Sequence, residues 1–458
     1  MLDFKNLKHI HLIGIGGIGV SAIAEVLNSD GYKVTGSDIR SSELTKSLEA
    51  NGIGVYYTHE SDNIIGADVV VYTAAVNESN PELKAAKEQG VLTLSRAEML
   101  GEILSQYKHS VAIAGAHGKT TTTSFLSIIL NESDLDPTLL IGGEVKEFAS
   151  NVKTGKGDLI VTEACEYKDS FLSFKPTTGV ILNIDEDHLD YFKDLEHIIS
   201  SFTKFAQSIP HSGTLVLNND DYNAKKIVSH VKCNILTFGL SQDADVQARN
   251  ITYDPYGLPE FEVFIKGDLY STFKLSVPGN HNIYNSLAAT AVAYIIGLNG
   301  EEVARSTKIF GGTKRRFDRL GKYKNATVVD DYAHHPTEIK ATLSAAKKIP
   351  HNKSICIFQP HTYSRTAELL TDFAISFKQA DVVIITDIYG SARETDNGRV
   401  HSRDLVAAIK SEGQAATYLG TFDEVITHLS KIVESEDLIF TMGAGNIVDL
   451  GKKLASIL

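Results

Sequence analysis

A run of small residues around one lysine, Gly115-Ala116-His117-Gly118-Lys119-Thr120-Thr121, links a buried-strand pattern at 111–114 to a helix-compatible segment at 124–130. Small residues let backbone N–H groups close around a phosphate, and a helix N-terminus adds partial positive charge. Lys119 would reach the outer phosphates of a nucleoside triphosphate, and the Thr120 hydroxyl would ligate Mg²⁺. Ile113 replaces the first glycine of the usual GxxxxGK(S/T) spacing, so a strand-turn-helix without ligand is the alternative. The strand and the small-residue loop favour triphosphate binding.

A second glycine-rich loop, Gly14-Ile15-Gly16-Gly17-Ile18-Gly19, follows an apolar run over residues 9–13 and opens a helix pattern. The next strand pattern, over residues 33–36, ends in Ser37-Asp38. An acid about 20 positions beyond such glycines is the arrangement that holds a ribose hydroxyl in dinucleotide-binding folds. The pattern therefore predicts a nucleotide-binding βαβ unit, and a tight βα turn without ligand is the alternative.

Two further polar side chains follow predicted strands. Glu163 comes directly after residues 158–162, and His188 comes shortly after residues 179–182. Because the carboxyl ends of parallel strands meet at the ligand crevice of an α/β sheet, we expect both to face the same phosphates as Lys119. The acids beside His188 are interpreted as members of a solvated loop: Asp185, Glu186 and Asp187.

Strand and helix patterns alternate through most of the chain, which predicts an α/β fold with parallel sheets. The patterns form three blocks, as expected for a chain of 458 residues, which is too long for one compact core. The first block ends near residue 107, and the second includes antiparallel strand patterns between residues 246 and 275. The third block has strand patterns at 326–329, 354–358, 382–386 and 438–441.

Composition argues against several functions. The formal net charge of −13 disfavours binding to nucleic acid or to an anionic membrane, since both favour a basic protein surface. The three cysteines lie far apart, which indicates neither a disulfide framework nor a CxxC metal site. The sequence has no signal-peptide pattern and no apolar run of transmembrane length. We expect a cytoplasmic protein that binds small molecules, with no nucleic-acid partner and no membrane insertion.

Together these motifs resemble the Mur ligase family of bacterial cell-wall enzymes. The resemblance is carried by segments spread over nearly the whole chain: GIGGIG (14–19), AGAHGKTTTT (114–123), EACEYKDSFL (163–172), NIDEDHLD (183–190), GNHNIYN (279–285), GTKRRFD (312–318), DDYAHHPTEI (330–339) and QPHTYSR (359–365). Two departures are visible. Ala116 stands where many members have Thr or Ser, and EACEYKD replaces the common EADESD while keeping Glu163 and Glu166.

The resemblance implies a three-domain architecture. A Rossmann-like N-terminal domain (1–107) would bind a UDP-sugar, a P-loop ATPase-like central domain (108–313) would bind ATP, and a Rossmann-like α/β C-terminal domain (314–458) would close over them with the amino acid. The implied reaction joins L-alanine to the carboxylate of UDP-N-acetylmuramate through an acyl phosphate, with ATP and Mg²⁺, in peptidoglycan precursor synthesis by a monomer or homodimer. Within the family, the alternative is the recycling ligase that attaches a whole tripeptide. The intact loop at 14–19 favours the former.

The resemblance also implies residue roles at matching positions. The UDP-sugar would contact Gly14, Gly16, Gly17, Ile18, Gly19, Ser37 and Asp38. ATP would contact Gly115, Ala116, His117, Gly118, Lys119, Thr120, Thr121, Asn282, Asn285, Arg316 and Asp331. Metal would be held by Thr120, Glu163 and His188, and the amino acid by Tyr332, His334 and Arg365. The catalytic set would be Lys119, His188, His334, His335 and Arg365.

Several roles keep an open alternative. His117 could contact either a phosphate or the carboxylate of the sugar, and either His334 or His335 could accept a proton from the amine. A structural hydrogen bond competes with each histidine role. Asn282 and Asn285 suit a purine edge because an amide both donates and accepts, but a helix N-cap is the alternative. 

Two other classes of function are less well supported by the sequence. An NAD-dependent oxidoreductase would account for the first glycine loop, but it gives no role to Lys119, Glu163 or His188. A non-catalytic nucleotide-binding regulator is disfavoured by the same residues.

Arg315, next to Arg316, could equally be a solvated surface charge.

Overall fold

The computed structural model describes residues 2, 4–73, 75–145, 147, 150–390, 394, 396 and 398–457. The chain divides into two compact units. The first unit contains Met1–Glu144, Phe148–Ile184 and Ile199–Thr237, and the second contains Val145–Glu147, Asp185–Ile198 and Phe238–Leu458. Over the described residues, no helix has both the length and the apolar character that crossing a bilayer requires.

The first unit opens with a parallel sheet that has helices in its crossover connections. Its elements are β1 (His9–Ile13), α1 (Ile18–Ser29), β2 (Lys33–Ser37), α2 (Glu43–Ala50), β3 (Gly54–Tyr56), β4 (Val69–Tyr72), α3 (Pro81–Glu88), β5 (Leu92–Ser95) and α4 (Arg96–Leu104). The strand order is β3-β2-β1-β4-β5. Every residue of β1 is buried, as expected for a central strand of a parallel sheet that is covered on both faces.

A second, larger sheet follows along the chain. Its elements are β6 (His109–Ala114), α5 (Lys119–Asn131), β7 (Thr138–Val145), β8 (Ser150–Lys153), β9 (Leu159–Glu163), β10 (Thr178–Ile181), α6 (Leu195–Gln207), β11 (Thr214–Asn218), α7 (Tyr222–Lys225) and β12 (Asn234–Gly239). The strand order over this part is β12-β11-β10-β6-β9-β7-β8. Strand β6 pairs in parallel with β10 on one side and with β9 on the other. The loop after β6 therefore begins at the carboxyl edge of the sheet, between two neighbouring strand ends.

The second unit begins its sheet at the end of β12, where Phe238 and Gly239 pair in parallel with Val246 and Gln247. The elements that follow are β13 (Val246–Tyr253), β14 (Pro259–Ile265), β15 (Asp268–Lys274), α8 (Asn280–Ile296) and α9 (Gly300–Ile309). Strands β13, β14 and β15 are successive antiparallel neighbours. The antiparallel strands predicted for this region are confirmed.

The rest of the second unit forms a separate sheet. Its elements are β16 (Asp318–Tyr323), β17 (Ala326–Asp331), α10 (Pro336–Ala346), β18 (Ser354–Phe358), α11 (Tyr363–Glu368), α12 (Leu370–Ala374), β19 (Val382–Ile385), α13 (Ser402–Ser411), β20 (Ala416–Tyr418), α14 (Phe422–Ile432), β21 (Leu438–Met442) and α15 (Ile447–Ser456). The strand order is β16-β17-β21-β18-β19-β20, and only β16 runs antiparallel to its neighbour within the described residues. Alternate residues of β18 enter two hydrophobic cores, so helices cover this sheet on both faces.

The α/β class predicted from the sequence is confirmed. Two local predictions differ from the structure. Helix α5 begins at Lys119, well before residue 124, because Gly118 adopts a φ of +88° and starts the helix directly after the loop. Strands β3, β7, β8, β16 and β20 were not predicted. In β3, β8, β16 and β20 too few apolar residues are buried to give a strand pattern, whereas β7 begins with four buried residues and its pattern was missed.

Candidate active site

The loop between β6 and α5 has a backbone that only glycine accommodates at two points. Gly115 and Gly118 have φ angles of +147° and +88°. A β-carbon on Gly115 would lie 2.9 Å from the β-carbon of Leu182. The loop therefore turns tightly against the end of β10, and the N-terminal N–H groups of α5 are left pointing out of the helix.

A side chain from the neighbouring strand end holds this loop in place. The Asn183 carbonyl oxygen Oδ1 accepts a hydrogen bond from the His117 amide at 2.8 Å, and its Nδ2 donates to the His117 carbonyl at 2.9 Å. The backbone carbonyl of Asn183 also accepts from the Ala116 amide at 3.2 Å. These three bonds fix the loop before any ligand binds.

Lys119 forms a buried ion pair inside the loop. Its Nζ lies 2.8 and 3.0 Å from the two carboxylate oxygens of Glu166, and it also donates to the carbonyls of Gly115 and Ala116. The Lys119 side chain is 17% exposed and that of Glu166 is 3% exposed. Burial alone would lower the pKa of Lys119, but the carboxylate of Glu166 outweighs burial and raises the pKa above its usual range. The lysine is therefore a permanent cation.

Thr120 and Glu163 lie in hydrogen-bond contact. The Thr120 hydroxyl donates to Glu163 Oε2 at 3.1 Å, and the amide of Gly142 donates to Oε1 at 2.6 Å. Glu163 pairs with Ile113 across β6 and β9, so the end of one strand brings it to the loop that follows the other. Two oxygen donors side by side at a phosphate loop are the ligands that Mg²⁺ prefers.

The glycine-rich loop after β1 is fastened to the end of β2. The amides of Gly14 and Ile15 donate to the carbonyl of Ser37 at 2.8 and 3.0 Å. The amide of Gly16 donates to the Asp38 carboxylate at 3.0 Å, so the acid predicted to hold a ribose also supports the loop. The most exposed loop residues are Gly17, Ile18 and Gly19.

Ser37 lies beneath that loop and is fully buried. Its hydroxyl donates to Glu82 Oε2 at 2.6 Å. Glu82 is also fully buried, accepts from Asn63 Nδ2 at 2.6 Å and lies 3.0 Å from His59 Nδ1. The Ser37 hydroxyl therefore has partners in Glu82 and in His59, whose Nδ1 lies 3.1 Å away, whereas Asp38 remains partly exposed.

In the second unit, Asp187 and Arg365 form a buried ion pair. Oδ1 of Asp187 lies 2.8 Å from Nη2 and 3.3 Å from Nε of Arg365. Burial alone would raise the pKa of Asp187, but the guanidinium outweighs burial and holds the pKa well below its usual range. The interpretation of Asp187 as a solvated loop residue is therefore wrong. Asp185 is also bound, since it accepts a hydrogen bond from the Thr337 hydroxyl at 2.7 Å.

The paired histidines before α10 have different surroundings. His335 caps the helix: its Nδ1 accepts from the Thr337 amide at 3.3 Å, and its Nε2 lies 3.0 Å from the Glu186 carbonyl. His334 Nδ1 lies 3.0 Å from the Tyr332 carbonyl, and burial lowers the pKa of His334 to about 3. A histidine with that pKa is a weak base near neutral pH, which differs from the proton-accepting role expected for it.

Two guanidinium groups lie close to the ring of Tyr332. The Cζ atoms of Arg315 and Arg316 lie 4.8 and 5.0 Å from the centre of its ring. Arg315 also bonds to the Asp330 carboxylate at 3.1 Å and donates to the Gly443 carbonyl at 2.7 Å. These contacts rule out the solvated-charge alternative for Arg315 and give it a structural role.

Asp331 is buried, and its carboxylate accepts hydrogen bonds from two backbone amides. One oxygen accepts from the Phe317 amide at 2.9 Å, and the other accepts from the Ala333 amide at 2.8 Å. Burial, opposed by Arg316, raises the pKa of Asp331 to about 6. The contact with ribose expected from the sequence remains a prediction.

The two asparagines at the start of α8 form a small buried chain. Asn282 Nδ2 donates to the Pro278 carbonyl at 2.7 Å, and Asn285 Nδ2 donates to Asn282 Oδ1 at 3.1 Å. The N-cap position belongs to Gly279, with a φ of +100°. The N-cap alternative is therefore wrong for both asparagines, and their purine-facing role remains a prediction.

The remaining predicted residues fall in their expected elements. Thr121 is in the first turn of α5, and His188 follows Asp187 with a φ of +56°. His188 is in the second unit, while Thr120 and Glu163 are in the first. Sequence reasoning gave no role to Asn183 or Asp187, although both lie in the segment 183–190 that carried the resemblance. Their polar types shortly after the buried strand β10 were the available signal.

Comparison with known proteins defines the class to which this fold and site belong. Three family models match consecutive parts of the chain: "Mur ligase family, catalytic domain" over residues 9–108, "Mur ligase middle domain" over residues 113–293, and "Mur ligase, glutamate ligase domain" over residues 315–445. The chain belongs to the Mur ligase family. The three-domain Mur ligase-like architecture predicted from the sequence is confirmed.

Curated relatives and solved structures match over nearly the full chain. UDP-N-acetylmuramate–L-alanine ligases from Alkaliphilus metalliredigens and Caldanaerobacter subterraneus are 51% and 50% identical, each covering 99% of this chain and 98% of the relative. The crystal structure of UDP-N-acetylmuramate-alanine ligase from Thermotoga maritima is 29% identical with a TM-score of 0.79, covering 98% of both chains. A murein peptide ligase from Psychrobacter arcticus is 25% identical with a TM-score of 0.71, covering 98% of this chain and 99% of that one.

Proposed function

We propose that this chain joins L-alanine to the lactyl carboxylate of UDP-N-acetylmuramate at the expense of ATP. The observation that carries the proposal is the buried, permanently charged Lys119 in a preformed phosphate loop, in a chain about half identical to ligases of that name. The carboxylate attacks the γ-phosphorus of ATP, and ADP leaves. The amine of L-alanine then attacks the carbonyl carbon of the acyl phosphate, and inorganic phosphate leaves with the C–O electron pair.

The phosphate loop would stabilise charge during the first step. A carboxylate attacking a triphosphate brings anions together, so cationic groups must offset their repulsion. Lys119 carries that charge, and the N-terminus of α5 adds the N–H groups of its first turn, at Lys119, Thr120 and Thr121. Glu166 would hold Lys119 in the loop before ATP binds, and the phosphate oxygens of ATP would then accept further hydrogen bonds from the lysine.

Thr120 and Glu163 are the residues that would hold Mg²⁺, with His188 as a further ligand. A hydroxyl oxygen and a carboxylate oxygen suit a hard cation such as Mg²⁺. The two oxygens lie 3.1 Å apart, close enough to bind the same ion. Bound Mg²⁺ would neutralise phosphate charge. Loss of Glu163 should therefore change the metal requirement more than the affinity for L-alanine.

The second unit would supply groups for the amino acid and the nucleoside. Arg365 offers a guanidinium whose fork suits a carboxylate, and Asp187 holds it in place from one side. Tyr332 and His334 would line the same part of the site. Asn282, Asn285, Arg316 and Asp331 would contact ATP.

The sugar nucleotide would bind at the first sheet, through the loop at 14–19 and Asp38. The domain assignment that accompanies this proposal is 1–107 for the UDP-sugar, 108–313 for ATP and 314–458 for the amino acid. The reaction belongs in the cytoplasm, where ATP is available.

Phosphate release with ATP and UDP-N-acetylmuramate tests the proposal when the amine is varied. L-alanine should support the fastest turnover. Glycine and L-serine should be slower but measurable, because one methyl or hydroxyl group changes binding by only about 1–3 kcal/mol. Faster turnover with the tripeptide than with L-alanine would identify the recycling ligase instead, and no turnover with any amine would reject the proposal.

A further inference from the structure

Arg96 lies on the same sheet edge as the glycine-rich loop but has no role in the function proposed so far. It is the first residue of α4 and directly follows Ser95 at the end of β5. Across the sheet, Ser95 pairs with Tyr72, Tyr72 with Ile13, and Ile13 with Ser37. The residues that follow these four partners therefore share one carboxyl edge: Arg96, Thr73, Gly14 and Asp38.

The Arg96 guanidinium lies against the first turn of α1. A β-carbon on Gly19 would lie 3.0 Å from Nη1 and 3.5 Å from Cζ of Arg96. Gly19 and Ile18 are exposed, and N–H groups in the first turn of a helix have no acceptor within the helix. The cation and these donors thus present positive potential to the same space.

Among the described residues, Arg96 has no carboxylate partner. Its side chain is half-buried, and an arginine that loses water without gaining an acceptor is unfavourable. The start of α4 is nevertheless rigid, because Ser95 and Glu98 form a reciprocal capping box. Further along the helix, a β-carbon on Gly101 would collide with the Ser173 carbonyl. The helix start thus holds the backbone of Arg96 in place, and its guanidinium has no carboxylate partner and is available to bind an anion.

We infer that Arg96 binds the diphosphate of the sugar nucleotide, together with the exposed amides at the start of α1. This inference rests on the proposed function, since it names a further residue of the same substrate site. A planar guanidinium forms two parallel hydrogen bonds to phosphate oxygens, which a glycine loop alone does not supply. The lactyl carboxylate is the other anion of the substrate, but contact with Gly19 places Arg96 at the loop that would hold the phosphates.

Isothermal titration of the full chain with UDP, UDP-N-acetylmuramate and uridine tests this assignment. Arg96→Ala should weaken binding of UDP and UDP-N-acetylmuramate by roughly ten- to a hundredfold, as expected for a lost charged hydrogen bond. Uridine and ATP should bind as they do to the wild-type chain. Arg96→Lys should recover part of the loss, since it restores the charge without the fork. Lys33→Ala is the charge-matched control, because Lys33 is exposed at the opposite, amino end of β2.

Equal binding of UDP by Arg96→Ala and wild type would overturn the inference. So would a loss restricted to UDP-N-acetylmuramate, which would assign Arg96 to the carboxylate, or an equal loss for uridine, which would indicate a structural role. These results leave the ligase proposal standing if the wild-type chain still forms product. A wild-type chain that binds neither UDP nor UDP-N-acetylmuramate would reject both.

Discussion

Lys119 has two roles in the structure, and a single and a double variant together separate them. The lysine is the cation of the phosphate loop, and it is also the partner of the buried carboxylate of Glu166. Lys119→Ala should therefore reduce turnover and loosen the loop at the same time. The double variant Lys119→Ala/Glu166→Gln removes the unpaired carboxylate and should repair only the second defect.

The two magnitudes follow from the geometry. A single charge aimed at a transferring phosphoryl group contributes about 3 kcal/mol or more, so turnover should fall at least roughly a hundredfold. Removing one partner of a buried pair costs about 3–5 kcal/mol. Glu166 is only 3% exposed, so its carboxylate would lose its cation in a buried position, and we take the lower figure, about 3 kcal/mol, as the least loss expected.

Hydrogen exchange measured by mass spectrometry on peptides from α5 reports the structural defect separately from the rate. A loss of about 3 kcal/mol should accelerate exchange of the α5 amides roughly a hundredfold in Lys119→Ala. The double variant should exchange close to the wild-type rate while remaining inactive. Wild-type exchange in Lys119→Ala, or turnover restored in the double variant, would refute this reasoning.

Three further predictions concern the other charged groups. Glu163→Gln should raise the Mg²⁺ concentration that gives half-maximal rate, whereas Glu132→Gln, exposed at the other end of α5, should not; an unchanged Mg²⁺ dependence would assign Glu163 another task. Arg365→Ala should raise the KM for L-alanine at least tenfold more than the KM for ATP, since about 1.5–3 kcal/mol of charged hydrogen bonding is lost; equal increases would indicate a structural role. Because the pKa of His334 lies near 3, this histidine stays neutral from pH 5 to pH 8. His334→Gln should therefore lower the rate without moving the acidic limb of the pH profile. A shifted limb would show that His334 titrates in that range.

Local patterns predicted the parts of the site that are contiguous in sequence. The phosphate loop, the glycine loop and the ends of β9 and β10 could be predicted because parallel strands bring their carboxyl ends to one edge. The early start of α5 was not foreseen, since four consecutive threonines have low helix propensity and only the positive φ of Gly118 places the helix start there.

Pairing between distant residues could not be predicted from the sequence. Asp187 and Arg365 are 178 positions apart, and their contact depends on how a loop of one sheet packs against a short helix of another. Glu166 follows Glu163 by three positions, but the choice between a metal ligand and a partner for Lys119 depends on backbone direction. Burial of Ser37 beneath the glycine loop depends on Glu82, which lies 45 positions later.

The route of one oxygen atom tests the central claim most directly. UDP-N-acetylmuramate labelled with heavy oxygen in its lactyl carboxylate is incubated with ATP, L-alanine and the enzyme, and the released phosphate is analysed by mass spectrometry. The account predicts one heavy oxygen in each phosphate and one in the new amide, because the carboxylate attacks the γ-phosphorus and the amine then displaces phosphate from carbon. Unlabelled phosphate, or release of pyrophosphate, would contradict it.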